Sequence, residues 1–334
     1  MSDDYLWDRS ATPDPEIERL EALLRPVAYA HAPLRSDVIP STTTRIRVTR
    51  WAMLAAGIVV ATGGWYATHR RAATPWSVAA VQGAPVIRSA DGALARGIVA
   101  PGGVVETDAR SSAAIVIGRI GRAELGPGSR LRLLGISASE YRLSLERGTM
   151  RASIDAPPRY FLVQTASALA VDLGCVYTLT ADERGNGVLS VEEGEVELQH
   201  GDVRVAVLAG NSAALRNGSG PGLPFPVRAS VALRRAIDTY DADPASAGAL
   251  DAVLAAADAR STITLWHLLQ RERPAARDRV YARLAVISPP PAVVTRERII
   301  RGESGALQRW RTDLQPAWAV EPPLWRRAWL VVTR

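Results

Sequence analysis

At 334 residues, with 47% hydrophobic and 22% charged side chains, the chain has ordinary globular composition and length for two or three domains. The net charge of +6 comes from arginines scattered along a chain without lysine, which offers no basic block for direct nucleic-acid binding and lacks the lysine of a phosphate-cradling loop. A single cysteine, Cys175, excludes an intramolecular disulfide framework and a multi-cysteine zinc site.

Residues 1–50 read as a short cytoplasmic segment with one amphipathic helix. Asp14 can cap it, Pro15 suits its first turn, and Ile17, Leu20, Leu23, Leu24 and Val27 share one face. Tyr5, Leu6 and Trp7 form an apolar cluster on the acidic tip just before it. Such a segment is either a docking element, with Tyr5, Leu6, Trp7, Ile17, Leu20 and Leu24 as its contact residues, or a mini-fold packed on itself. Pro33, Pro40 and the Ser41 to Thr44 run then mark a juxtamembrane linker.

Residues 51–68 carry no charge and read as one transmembrane helix. At about 1.5 Å per residue they reach about 27 Å, close to the roughly 30 Å hydrocarbon core of a bilayer. Trp51 at one end and Trp65 with Tyr66 at the other suit the headgroup level, and Arg50, Arg70 and Arg71 close the run. A cleaved signal peptide would begin far closer to the N-terminus, and a buried core helix would need no flanking arginines. Arg35, Arg45, Arg47 and Arg50 before the span, against Arg70 and Arg71 after it, favour a cytoplasmic N-terminus. The expected location is therefore the inner membrane, single-pass, with the C-terminal domains periplasmic.

From residue 76 to 214 the period becomes two. Leu131/Leu133, Tyr141/Leu143/Leu145, Leu189/Val191, Val196/Leu198 and Val203/Val205/Val207 alternate with polar or small residues. Turn signals such as Gly126-Pro127-Gly128 and Glu193-Gly194 separate them. The pattern predicts an antiparallel, two-sheet β-domain, rolled or solenoid-like. Asn217 to Pro224 reads as a loop, and residues 228–334 as an α-helical region with helices near 228–241, 245–258, 261–271, 274–287 and 303–313. Trp310, Trp318, Trp325 and Trp329 in its tail suit packing on the body or an adhesive surface.

No catalytic, cofactor-binding or metal-binding constellation emerges. The four histidines, His31, His69, His200 and His267, lie in separate segments without partners at metal-ligand spacing. Glu192, Glu193, Glu195 and Glu197 read as a solvated face, and Cys175 as a buried strand residue. These readings describe a protein that is not an enzyme and needs no cofactor.

The run from Gly103 through Glu106, Thr107, Ser111, Ala113, Ile115 and Ile117 to Gly118, followed by Glu124, Gly126, Gly128, Ser129 and Leu131, resembles the FecR family core. So does the later run through Gly148, Phe161, Val163, Thr165, Val171, Gly174, Tyr177, Val191, Glu193-Gly194, Val196 and Ala209-Gly210. The resemblance spans roughly 76–214 and implies an all-β periplasmic domain on a single-span regulator of transcription. It also implies anti-sigma-factor signal transduction, in which residues 1–50 bind an extracytoplasmic-function sigma factor and the β-domain meets an unidentified periplasmic partner. A helical segment stands where transporter-reading members carry a small α/β domain, so no transporter partner is implied. The alternative is a non-enzymatic cell-envelope scaffold held by the same helix.

Overall fold

Alternation of apolar and polar residues organises the chain from Trp76 onward, and the structure, a computed structural model, describes residues 76–318. Seventeen strands come first. They are β1 (Trp76–Gln82), β2 (Val86–Arg88), β3 (Leu94–Ala95), β4 (Ile98–Val99), β5 (Val104–Glu106), β6 (Ser112–Ile117), β7 (Gly121–Leu125) and β8 (Arg130–Ile136), then the long β9 (Tyr141–Ile154). After it follow β10 (Phe161–Gln164), β11 (Leu169–Asp172), β12 (Val176–Ala181), β13 (Gly187–Glu193), β14 (Glu195–His200), β15 (Val203–Leu208), β16 (Asn211–Arg216) and β17 (Gly220–Pro226).

Pairing sorts these strands into two sheets that face each other. The first runs β4-β1-β6-β7-β9-β12-β13-β16-β17. The second runs β3-β2-β5-β8-β9-β10-β11-β14-β15. Strand β9 belongs to both: its first half pairs with β8 and β10, and its second half with β7 and β12. The change of sheet falls at Gly148, whose φ of 94° is disfavoured for a side chain and whose Cβ, if present, would strike Ser129. Gly194, at φ 79°, makes the same corner between β13 and β14.

The bend corrects one expectation of the fold class. All strand pairs among the described residues are antiparallel except β9 with β10, which is parallel. A parallel return normally needs a long crossover. Here β9 folds back so far that the short loop after Ile154 reaches its own beginning, where the Tyr141 N–H donates to the Tyr160 carbonyl at 2.7 Å.

The core lies between the sheets, on the positions that alternation marked. Leu131, Leu133, Leu143, Leu145, Leu189, Val191, Val196, Leu198, Val205 and Val207 are all buried, joined by Phe161 and Tyr177. Val203 departs from the pattern and is 40% exposed, because β15 has only just left the turn at Gly201 and Asp202.

The segment read as a loop over Asn217 to Pro224 is a turn followed by β17, so the β-architecture ends at Pro226 and not at residue 214. Pro221, Pro224 and Pro226 obscured it in the sequence. Proline is tolerated on an edge strand, where it need not donate to a neighbour, and β17 pairs with β16 alone.

Six helices follow: α1 (Val231–Ala242), α2 (Ala249–Ala256), α3 (Thr262–Arg271), α4 (Pro274–Ile287), α5 (Arg296–Ile300) and α6 (Ser304–Trp318). Ser230 caps α1 by accepting from the Leu233 N–H at 3.1 Å, and Pro274 opens α4. The short α5 has no counterpart among the predicted helices, since five residues are too few to show a period. Leu233, Ile237, Leu265, Leu269, Leu284 and Trp310 build a second core that also takes in Leu208 and Leu223 of the sheets.

No helix among the described residues is long and apolar enough to cross a membrane. The apolar run at 51–68, the amphipathic helix from Pro15, and Trp325 and Trp329 lie outside the described residues.

Candidate functional site

A set of buried polar contacts lies where the helices meet the sheet edge. Helix α3 is buried along most of its length, from Thr262 to Leu269. A helix buried all round has to place its polar groups against partners. Thr264, His267 and Arg271 are spaced three and four apart and so share one face. Each meets a backbone carbonyl of the sheets.

The Thr264 hydroxyl donates to the Pro224 carbonyl at 2.6 Å. His267 Nε2 lies 3.2 Å from the Ala206 carbonyl, and Arg271 donates to the Pro221 and Gly222 carbonyls at 3.0 and 3.1 Å. From α1, the buried Asp241 carboxylate accepts the Leu223 N–H at 3.0 Å and sits 3.8 Å from Arg271. The outer edge of β17 is therefore completed by side chains where another strand would otherwise run. A Cβ at Gly222 would collide with the Asp241 carboxylate, so the fit requires glycine there.

Two further ties hold α6. The Asn211 side chain donates to the carbonyls of Leu208, Ala209 and Trp318, at 3.1, 3.1 and 2.8 Å. The Trp318 indole N–H donates to the Thr262 hydroxyl at 3.0 Å. Arg311 lies 3.5 Å from Glu195 and stacks over Trp266, with 5.2 Å to the ring centroid. Glu195 is thus not part of a solvated face, as its neighbours suggested. It is half-buried beneath α6, and burial raises its pKa against the opposing pull of Arg311.

Burial dominates the electrostatics of this junction. It lowers the pKa of His267 to about 3, helped by the charges of Arg271 and Arg311, so the ring stays neutral and donates to the Ala206 carbonyl. It pushes Asp241 up to about 6 against the Leu223 hydrogen bond and Arg271. Tyr240 is held well above its usual range by burial and by its 2.6 Å hydrogen bond to Glu272.

A smaller polar cluster sits at the corner between β11 and β12. Asp172 accepts from the Gly174 N–H at 2.6 Å, and burial pushes its carboxyl up to about 6. The Cys175 thiol donates to the Glu195 carbonyl at 3.2 Å, and burial holds it well above the ordinary thiol range. The Tyr177 hydroxyl has no hydrogen-bond partner among the described residues, and burial raises its pKa as well. A thiol so disfavoured as thiolate is poorly suited to nucleophilic chemistry.

No group of histidine, cysteine, aspartate and glutamate suited to a metal ion occurs among the described residues. The residues proposed from sequence as contact residues, Tyr5, Leu6, Trp7, Ile17, Leu20 and Leu24, lie outside the described residues. Sequence reasoning passed over Asp241, Asn211, Thr264 and Arg271. A signal existed for two of them. Asp241 interrupts the apolar stripe of Leu233, Ile237 and Tyr240, and Arg271 continues the face of Thr264 and His267.

No family model matches the chain, and no curated protein matches it. Two crystal structures, at 1.65 and 2.50 Å, of a protein from Parabacteroides distasonis ATCC 8503 described as a "putative anti-sigma factor" are similar to part of it. Each has 17% sequence identity and a TM-score of 0.33, over 37% of this chain and 59% of the other. The chain thus spans little more than half the length of those proteins.

Proposed function

We propose that the protein is a single-pass inner-membrane regulator of the FecR type, in which residues 1–50 engage a sigma factor in the cytoplasm and the two-sheet domain receives a periplasmic signal. The observation that carries this reading is the uncharged run at 51–68. It separates a small segment with one amphipathic stripe from a β-domain that begins at Trp76, with seven residues between. The FecR-like motifs also fall at positions with a structural task, Glu193-Gly194 and Ala209-Gly210 turning the chain between the two sheets. The buried junction of helices and sheets suits a rigid receiver better than a reaction centre, because its polar groups are spent on backbone carbonyls.

The test is a pull-down with residues 1–50 from the native host, together with deletion of those residues from the chromosomal copy. Retention of a sigma factor and a changed transcript set after deletion are expected. No retention and an unchanged transcript set would end the regulatory reading and leave the envelope scaffold.

A further inference from the structure

Strand β1 is paired along one side only for most of its length. On that side it runs against β6 from Ser77 to Gln82, with the register shifting between Ala80 and Gln82. On the other, β4 accompanies it only at Trp76 and Ser77, with one more bond from the Val78 N–H to the Gly97 carbonyl at 2.9 Å. Because the Val78 N–H points to this outer side, alternation points the Ala80 N–H the same way. Beyond Val78 no strand among the described residues lies beside it.

The uncovered stretch has the composition that exposed edges usually avoid. Ser77 to Ala84 contains neither a charge nor a proline, two of the devices that commonly block edge pairing; a third, a bulge, is present as a register shift between Ala80 and Gln82. Val81 is 66% exposed, and Leu94 of β3 and Ile98 of β4, on the strands that finish this end of the two sheets, are 73% and 50% exposed.

We propose that the outer edge of β1, at Ala79 to Gln82, pairs antiparallel with the same edge of a second copy of this chain. An uncharged edge of small residues meets its own copy without like-charge opposition, and a two-fold interface needs only such a self-complementary patch. The chain length fixes the partner further, and this step rests on the membrane-anchored reading. Seven residues separate the span from Trp76 and reach at most about 25 Å, so the same short tether confines every anchored copy to a layer at one membrane. Confinement to that layer raises the effective concentration of copies for each other and not for a free peptide.

The test uses the full chain in native membranes, with Cys175→Ser removing the only native thiol. Gln82→Cys is the probe and Val188→Cys, on central strand β13 and 39% exposed, the control, each treated with a short bis-maleimide. The expected result is about ten-fold more covalent dimer from the probe than from the control. Ala80→Pro, which removes the outward N–H but no bond to β6, should abolish the excess, and so should Val81→Arg should the proline variant fail to fold. Equal cross-linking of probe and control, or an excess that survives a folded blocking variant, overturns the pairing. Extraction with alkaline carbonate separates the two readings. A chain that stays in the membrane without the excess dimer leaves the anchor standing and the pairing refuted. A chain released by carbonate that still cross-links through residue 82 leaves the pairing standing and the anchor refuted.

Discussion

At one end of the first sheet, β17 has its outer backbone groups taken by Asp241, Thr264 and Arg271 of the helices. At the other end, β1 leaves Ala79 to Gln82 without a neighbouring strand among the described residues. Both are edges with the same problem, a row of N–H and C=O groups that need partners. The capped edge contains three prolines and is covered by a helix with a polar face. The bare edge contains no proline and no charge. The contrast teaches that the helical region is part of the sandwich's own edge management, whereas β1 has no such cover among the described residues.

The comparison is most severely broken by removing the packing that holds the cap. Trp310 is fully buried against Tyr281, with ring centroids 5.4 Å apart, so Trp310→Ala should lose about 3–5 kcal/mol of stability in denaturant titration. Asp241→Ala comes next. It leaves the Leu223 N–H without its acceptor and the partly exposed Arg271 without its carboxylate partner, and a loss of about 3 kcal/mol is expected, with Asp241→Asn milder because the hydrogen bond survives. Equal loss from both substitutions would mean that charge, not the Leu223 bond, holds the junction.

Acid sharpens the contrast further. His267 has a folded pKa near 3 against an ordinary value of 6.5, so its contribution is complete above pH 6.5 and is lost as pH falls toward 3. Between pH 7 and 5 that loss is about 2 kcal/mol. Asp241 and Asp172 act in the opposite sense. Their folded pKa values near 6 lie above the ordinary 3.8, so their contribution is complete below 3.8 and is lost as pH rises through 6. His267→Gln should therefore gain about 2 kcal/mol relative to wild type on going from pH 7 to 5, read from denaturation midpoints at the two values. An unchanged difference between variant and wild type would show that the ring takes up a proton in the folded state. The smallest effect belongs to the bare edge, where Val81→Arg should alter stability by no more than about 0.5 kcal/mol, because the side chain is exposed and no bond to β6 is removed.

Much of this architecture was legible because burial follows period. Leu143 and Leu145, or Val205 and Val207, alternate with polar or small residues, and each faces the interior. Helices α3 and α4 lie close to where Pro274 and the 3.6-residue pattern put them. The failures have equally local causes. Prolines hid β17 because their meaning depends on whether a strand is an edge, and α5 was too short to show a period. The junction was hardest to see, since Asn211 and Trp318 meet across more than a hundred residues.

The sequence by itself determined the alternation of strands and helices, the apolar positions of the two cores and the uncharged run at 51–68, all of which depend on neighbours a few residues apart. Only the tertiary structure decided that β9 serves both sheets, that β10 pairs with it in parallel, and that α3 turns Thr264, His267 and Arg271 toward the carbonyls of β15 and β17. The reason is that a backbone group left open at a sheet edge can be satisfied by any donor or acceptor the fold brings within about 3 Å, and sequence distance places no limit on which one it is.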